Sequence, residues 1–161
     1  MKKFTPSDVQ LQGALEHIYY EIVQLAMSLK DAKDPVINNA LVESRLIHVR
    51  ALLDFFQNEN RGTKKGAELD DVLSRDFGFP AQIVDIPFTY QERLNKDLAH
   101  LTYSRSQRLQ GDKPWPHDKV IYPILRLSGV FAEHLIQNFL PHNCPGKMVE
   151  WEELVIQLKK L

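Results

Sequence analysis

Residues 89–105, TYQERLNKDLAHLTYSR, combine a helix start, an apolar stripe and an unusual set of polar side chains. Thr89 followed three residues later by Glu92 has the pattern of a capping box, which predicts that a helix begins at Thr89. Arg93 and His100 are seven residues apart, about 20° short of two full helical turns, so their side chains share one face about 10.5 Å apart along the axis. This pair is the candidate chemical site of the chain.

The simplest interpretation of this pair is a solvated helix face, because a polar stripe opposite an apolar one is typical of any amphipathic helix. The predicted core face carries Leu94, Leu98 and Leu101, and the opposite face carries Arg93, Lys96, Asp97, His100 and Ser104.

This helix carries more polar residues near the core than packing alone requires. Asn95 and Thr102 border the apolar side, and Arg105 projects into its middle. A buried arginine needs a partner, so Arg105 is predicted to pair with Asp54 or Glu43 of the preceding helix. Such an ion pair is a structural feature rather than a catalytic one.

Length and composition predict one soluble domain spanning residues 1–161. The chain has 161 residues, of which 43% are hydrophobic and 25% charged, and no apolar run approaches the roughly 20 residues of a membrane helix. The N-terminal residues lack the apolar core of a signal peptide, so a cytoplasmic location is expected. A formal net charge of −1 argues against binding nucleic acid by bulk electrostatics. The one cysteine, Cys144, excludes an internal disulfide framework.

Two amphipathic helices are predicted in the first part of the chain. Apolar residues recur at three- and four-residue steps from Ser7 to about Lys30. Asp34 and Pro35 then form an N-cap and a first-turn proline, which start a second helix that runs to about Gln57.

The second helix has only a narrow polar stripe, which indicates that it is enclosed on most sides. Arg45 and His48 fall within its apolar majority and are therefore predicted to be buried polar groups with partners.

A connection covers about residues 58–88, far longer than the usual connection. A short helix is predicted over residues 67–75 and a short extended piece over residues 82–86. The basic side chains of Arg61, Lys64 and Lys65 either contact a phosphate or are solvated, and solvation is the usual case. Five apolar residues are predicted to anchor the connection to the helices: Phe77, Phe79, Ile83, Val84 and Ile86.

Two further helices complete the predicted fold. Residues 111–116 contain a glycine and two prolines, which must interrupt the helical structure. A fourth helix follows, which starts or kinks at Pro123 and ends near Leu140. Residues 147–160 form a shorter C-terminal helix. The resulting prediction is an all-α fold, an antiparallel four-helix bundle with an additional short C-terminal helix.

A metal site is a separate option. It would draw on His48, His100, His134 and Glu43. Neither a pair of histidines four residues apart nor a Glu-x-x-His motif presets these ligands, so no metal and no cofactor is predicted. The other histidines are expected at the surface or in loops: His17, His117 and His142.

Two segments resemble the HEPN superfamily of helical proteins. They are residues 44–56, SRLIHVRALLDFF, and residues 93–102, RLNKDLAHLT, and the similar region extends from the first helix to about Leu140. The hallmark of that superfamily is an arginine followed by four to six residues and a histidine, which Arg93 and His100 match at the longest spacing. Leu94 follows the arginine, where a polar residue is common in the superfamily.

The resemblance implies a metal-independent endoribonuclease with its site at a homodimer interface. Arg93 would hold the phosphate, and His100 would transfer the proton of the 2′-hydroxyl or of the leaving oxygen. The narrow polar face of the second helix also favours a homodimer. Supporting or substrate-binding roles fall to Asn95, Lys96, Ser104, Arg45 and His48.

The alternative is a non-catalytic helical module that binds a partner protein, such as an antitoxin, or a nucleotide. Many relatives of this type are interaction modules without cleavage activity, so fold alone does not decide between the two. Neither function requires a membrane.

Overall fold

A computed structural model describes residues 2–98 and 114–161, and the fold within them is mostly helical. The main elements are α1 (Asp8–Met27), α2 (Pro35–Gln57), β1 (Thr63–Lys64), β2 (Ala67–Glu68), α3 (Phe88–Asp97), α4 (His117–Val120), α5 (Tyr122–His134), α6 (Leu140–Asn143) and α7 (Met148–Leu158). Shorter segments are a 3₁₀ turn at Ser74–Phe77, a π-helical turn at Leu135–Phe139 and a 3₁₀ turn at Pro145–Lys147. The predicted all-α class is confirmed.

The starts of the first two helices confirm the sequence predictions. The Ser7 side chain accepts a hydrogen bond from the Gln10 backbone, and the Gln10 side chain accepts one from the Ser7 backbone, which is a complete capping box. Asp34 caps α2 by accepting bonds from the backbone of Val36 and Ile37 at 2.8 and 3.1 Å. Local side-chain chemistry therefore determines where both helices begin.

The core lies where α1 and α2 pack against each other and against α5, which also packs against α7. Five phenylalanine rings meet there, mostly edge to face, and Trp151 of α7 stacks edge to face on Phe131. The five are Phe55, Phe56, Phe77, Phe79 and Phe131. An antiparallel four-helix arrangement stays a prediction.

The prediction of a helix over residues 67–75 is wrong. Strands β1 and β2 pair in antiparallel register, and the two residues between them, Lys65 and Gly66, both have positive φ. Two positive φ values are the geometry of a type I′ hairpin turn, which favours a hairpin over a helix. Helical structure returns only at Ser74–Phe77.

Four of the five predicted anchors are buried, but Ile83 is 96% exposed. Val84 and Ile86 point inward while Ile83 and Asp85 point outward, because alternate side chains of an extended segment face opposite sides. The predicted piece over residues 82–86 is therefore extended, but it pairs with no strand and is not part of a sheet.

The predicted capping box at Thr89 is also wrong. Helix α3 begins at Phe88 after Pro87, whose carbonyl accepts the first backbone bonds from Tyr90 and Gln91. The fixed φ of proline sets the chain direction there without a side-chain cap.

The C-terminal part of the chain is close to the prediction. Pro123 is the second residue of α5, so the helix begins near it, as proline allows in a first turn. The helical path continues through the π-helical turn into α6, and α7 follows over Met148–Leu158. None of the described helices is both long and apolar enough to cross a membrane.

Candidate functional site

The guanidinium group of Arg93 is packed against aromatic rings. Its central carbon lies 4.0 Å from the centroid of Trp115 and 5.4 Å from that of Tyr90, and Nη1 donates to the Pro114 carbonyl at 3.3 Å. Only 8% of Arg93 is exposed. The prediction that Arg93 faces outward is therefore wrong, because residues that follow α3 in the chain cover this face of the helix.

The other polar residues of this helix divide into two groups. Asn95 and Lys96 are exposed, and the Lys96 ammonium pairs with Glu92 one turn earlier at 3.1 Å. His100 and Ser104 lie outside the described residues, as do Thr102 and Arg105. The pairing of Arg93 with His100 stays a prediction.

Arg45 is a buried polar side chain with several hydrogen-bond partners. It lies on α2, is 4% exposed, and donates to the Ser28 carbonyl, to the Lys30 carbonyl at 3.1 Å and to Asp31 Oδ1 at 2.9 Å. Its Nη1 lies 3.0 Å from Nε2 of His117. The prediction that Arg45 is a buried polar group with partners is confirmed.

His117 is predicted to lie at the surface or in a loop, but it is half-buried beside Arg45, at the first position of α4. Arginine can only donate, so Nε2 of His117 must accept, which leaves the ring proton on Nδ1 in the neutral form. Its ring also contacts Tyr122 edge to face at 6.1 Å. The contact of His117 with Arg45 has only a weak signal in the sequence. That signal is Pro116, which precedes α4 and places His117 at its first position.

A cleft with a volume of about 660 Å³ opens next to these two side chains. Asn38 is oriented within it, because its Oδ1 accepts from the Ala32 backbone at 3.1 Å and so leaves its amide hydrogens to donate. The polar and aromatic lining consists of Asp31, Asn38, Asn39, Arg45, Trp115 and His117. The cleft thus offers hydrogen-bond donors, acceptors and an aromatic surface together.

His48 is buried as predicted, but it is not part of this cleft. Its Nδ1 lies 2.7 Å from Glu21 Oε2, and its ring contacts Tyr20 edge to face at 5.9 Å. His134 has a different partner, since its Nε2 lies 3.0 Å from the Phe77 carbonyl. In residues 2–98 and 114–161, no group of three or more metal-ligating side chains is arranged to hold a metal ion.

Arg61 is also a buried arginine, like Arg93 and Arg45, which corrects the expectation of a solvated basic loop. It is 7% exposed, pairs with Asp76 at 2.5 Å, donates to the Asp71 carbonyl at 2.9 Å and lies over the Phe4 ring. Lys64 and Lys65 are exposed. Arg61 therefore organises the connection between α2 and α3.

Asp54 on α2 carries a perturbed carboxyl group. Partial burial raises its pKa, the negative charge of Asp71 raises it further, and the positive charge of Arg50 opposes both effects. Asp54 lines a small hollow of about 390 Å³ with Arg50 and Leu98.

Comparison with protein-family models, with curated proteins and with solved structures gives no match to this chain.

Proposed function

We propose that this chain is a non-catalytic, HEPN-like helical module that binds a nucleotide through its base, in the cleft between Arg45, Trp115 and His117. The observation that supports this choice over RNA cleavage is the burial of Arg93 against Trp115. An arginine that stabilises the transition state of phosphate cleavage must direct its donors at the phosphate. Arg93 instead donates to the Pro114 carbonyl and supports the wall of the cleft.

The lining of the cleft suits a nucleobase. Trp115 provides an aromatic surface of the kind on which bases stack, and the Asn38 and Asn39 amides can donate and accept at a base edge. A volume of about 660 Å³ lies within the usual range for small-molecule sites.

The charges of the cleft favour recognition of the base of a nucleotide over recognition of its phosphates. Arg45 is paired with Asp31, so these two lining charges cancel. His117 has one ring nitrogen facing Arg45. Without a surplus of positive charge, recognition would rest on stacking and hydrogen bonds.

The competing proposal is the metal-independent endoribonuclease, which rests on the spacing of Arg93 and His100. It requires Arg93 to leave Trp115 when RNA binds. A homodimer, a partner protein such as an antitoxin and a cytoplasmic location likewise remain proposals from the sequence.

Tryptophan fluorescence tests nucleotide binding directly. The chain has two tryptophans, and Trp151 is only 1% exposed in the core, so Trp151→Phe leaves Trp115 as the reporter. We expect mononucleotides to quench its emission, and the matching nucleosides to bind within about tenfold of them because the base carries the affinity.

A matched pair of variants locates the binding. Asn39→Ala, at the cleft, is expected to weaken binding by about fivefold to tenfold, the loss of one hydrogen bond. Asn60→Ala, in an exposed loop, should leave binding unchanged. Equal effects of the two variants, or no quenching by any nucleotide, would contradict the proposed cleft.

A cleavage assay in EDTA tests the competing function. Wild-type protein and His100→Ala would be incubated with mixed-sequence RNA, and the products examined for 2′,3′-cyclic phosphate ends. We expect no cleavage by either protein. Cleavage by the wild type that is lost in His100→Ala would overturn the non-catalytic proposal and establish the ribonuclease.

A further inference from the structure

A further cavity, an apolar groove of about 500 Å³, lies between α1 and α2. Phe4 and residues of the connection after α2 complete its lining, among them Asp70, Asp71, Val72 and Asp76. None of its lining residues belongs to the cleft at Trp115. Its apolar walls are formed mainly by Leu11, Ala14, Ile18, Leu52, Phe55 and Val72.

Gly13 lines this groove in the second turn of α1. A Cβ atom placed on Gly13 would meet no other atom within 4 Å, so close packing does not require glycine there. Glycine is among the least favourable residues in a helix interior. Glycine therefore leaves open space at this position of the groove lining.

The charged groups at the groove are mainly acidic. Four lining carboxylates, those of Glu21, Asp70, Asp71 and Asp76, accompany one lining arginine, Arg61.

Two of these carboxylates already have partners. Asp76 pairs with Arg61, and Glu21 contacts His48. Within the described parts of the chain, the Asp70 and Asp71 carboxylates make no hydrogen bond or ion pair. The field of Asp71 also reaches Asp54, whose pKa it helps to raise. Carboxylates in the lining of an otherwise apolar groove are complementary to a cation attached to an apolar body.

We propose that the groove binds a small organic amine, with its apolar body between α1 and α2 and its ammonium group at Asp70 and Asp71. The cavity volume matches the size of typical small-molecule sites. Each charge-assisted hydrogen bond to a carboxylate adds more affinity than a neutral one, so the amine is selected over neutral ligands of the same shape. This function is independent of nucleotide binding at the other cleft.

Calorimetric titration of the full chain at neutral pH tests the proposal with three ligands that share one apolar body. These are 4-phenylbutylamine, 4-phenylbutanol and 4-phenylbutyrate. We expect the amine to bind about tenfold more tightly than the alcohol, and the carboxylate to bind most weakly. If the amine binds no better than the alcohol, or if none of the three binds, the proposal is overturned.

Two glycine substitutions establish where the amine binds. Gly13→Leu adds a large side chain at the groove lining and is expected to abolish amine binding, while the helical circular dichroism is retained because leucine favours helix. Gly146→Leu is the matched control, since Gly146 also has open space around its Cβ position but lies outside the groove. Unchanged binding by a folded Gly13→Leu protein would place the amine elsewhere and contradict the proposal.

A charge variant tests the two aspartates separately. In the double variant Asp70→Asn and Asp71→Asn, the preference for the amine over the alcohol should disappear while alcohol binding is retained. Both carboxylates are exposed, so folding should tolerate the change. A preference that persists in this variant would exclude these carboxylates as the ammonium site.

Discussion

The guanidinium carbon of Arg93 lies 4.0 Å from the centroid of Trp115, so α3 and the segment before α4 are joined by a cation–π contact. Because Arg93 is 8% exposed, little water competes for this contact. A double-mutant cycle with Arg93→Met and Trp115→Leu should therefore give a coupling free energy of about 1 kcal/mol, measured by urea unfolding.

A control cycle uses Lys96 in place of Arg93 as the mutated position. Lys96 is exposed on the same helix and pairs with Glu92. Lys96→Met and Trp115→Leu should be additive within about 0.3 kcal/mol. Equal coupling in both cycles would mean that Trp115 acts through α3 as a whole.

The bonds of Arg45 predict a large loss of stability on its removal. Arg45→Met leaves the buried Ser28 carbonyl without its arginine donor, and separates Asp31 and His117 from their partner. We expect a loss of about 3 kcal/mol in the free energy of unfolding, measured by urea denaturation.

Arg45→Lys should recover only part of that loss, because an ammonium group lacks the planar fork that reaches several acceptors at once. The control is Arg126→Met, at an exposed position of α5, which should change stability by less than about 0.5 kcal/mol. Arg45 would be energetically unimportant if its variant behaved like that control.

Two glycines should respond in opposite directions to the same substitution. Gly13 lies within α1, where alanine has better helix propensity and a Cβ meets no neighbour, so Gly13→Ala should raise stability by about 1 kcal/mol. Gly78 has a φ of +73°, which strains any residue with a Cβ, so Gly78→Ala should lower stability by about 1 kcal/mol. Thermal unfolding monitored by circular dichroism measures both, and a loss at Gly13 would show that its Cβ position is not open.

The raised pKa of Asp54 predicts that its ionised carboxylate lowers the stability of the folded protein in a pH-dependent way. Because burial and Asp71 favour the protonated form in the folded protein, the folded state binds more protons than the unfolded state, and stability falls as pH rises through the window between the two pKa values. Asp54→Asn should therefore stabilise the protein at neutral pH by less than about 1 kcal/mol, since the group is solvent-screened.

That gain should shrink as the pH falls and disappear below about 4, where Asp54 is protonated in both states. Unfolding free energies of the wild type and the variant across this range provide the measurement. Asp85→Asn, at an exposed residue of the connection, serves as the control. A gain that is the same at every pH would show that ionisation of Asp54 is not its cause.

The features predicted correctly from sequence depend on residues close together in the chain. The Ser7 and Asp34 caps lie within three residues of the groups they bind, so the starts of α1 and α2 could be predicted closely. At Thr89 a similar local pattern failed because Pro87 had already directed the chain into α3.

The candidate site depends on residues that are far apart in the chain. Arg93 meets Trp115 across 22 residues of sequence, and Arg45 meets His117 across 72. A helical wheel assigns each side chain to a face but cannot show what later covers that face. For this reason the buried state of Arg45 was predictable from its apolar neighbours, whereas its contact with His117 and the burial of Arg93 were not.

The hairpin turn at Lys65 and Gly66 divides the chain at an exposed point between two well-anchored parts. On one side are α1 and α2, and on the other Phe79 and Phe131, whose rings both contact Phe56 of α2. A protease that cuts after Lys65 would break one peptide bond of a turn while these ring contacts continue to join the two fragments. The turn is therefore a natural place to insert a foreign sequence, or to divide the protein into two pieces that reassemble.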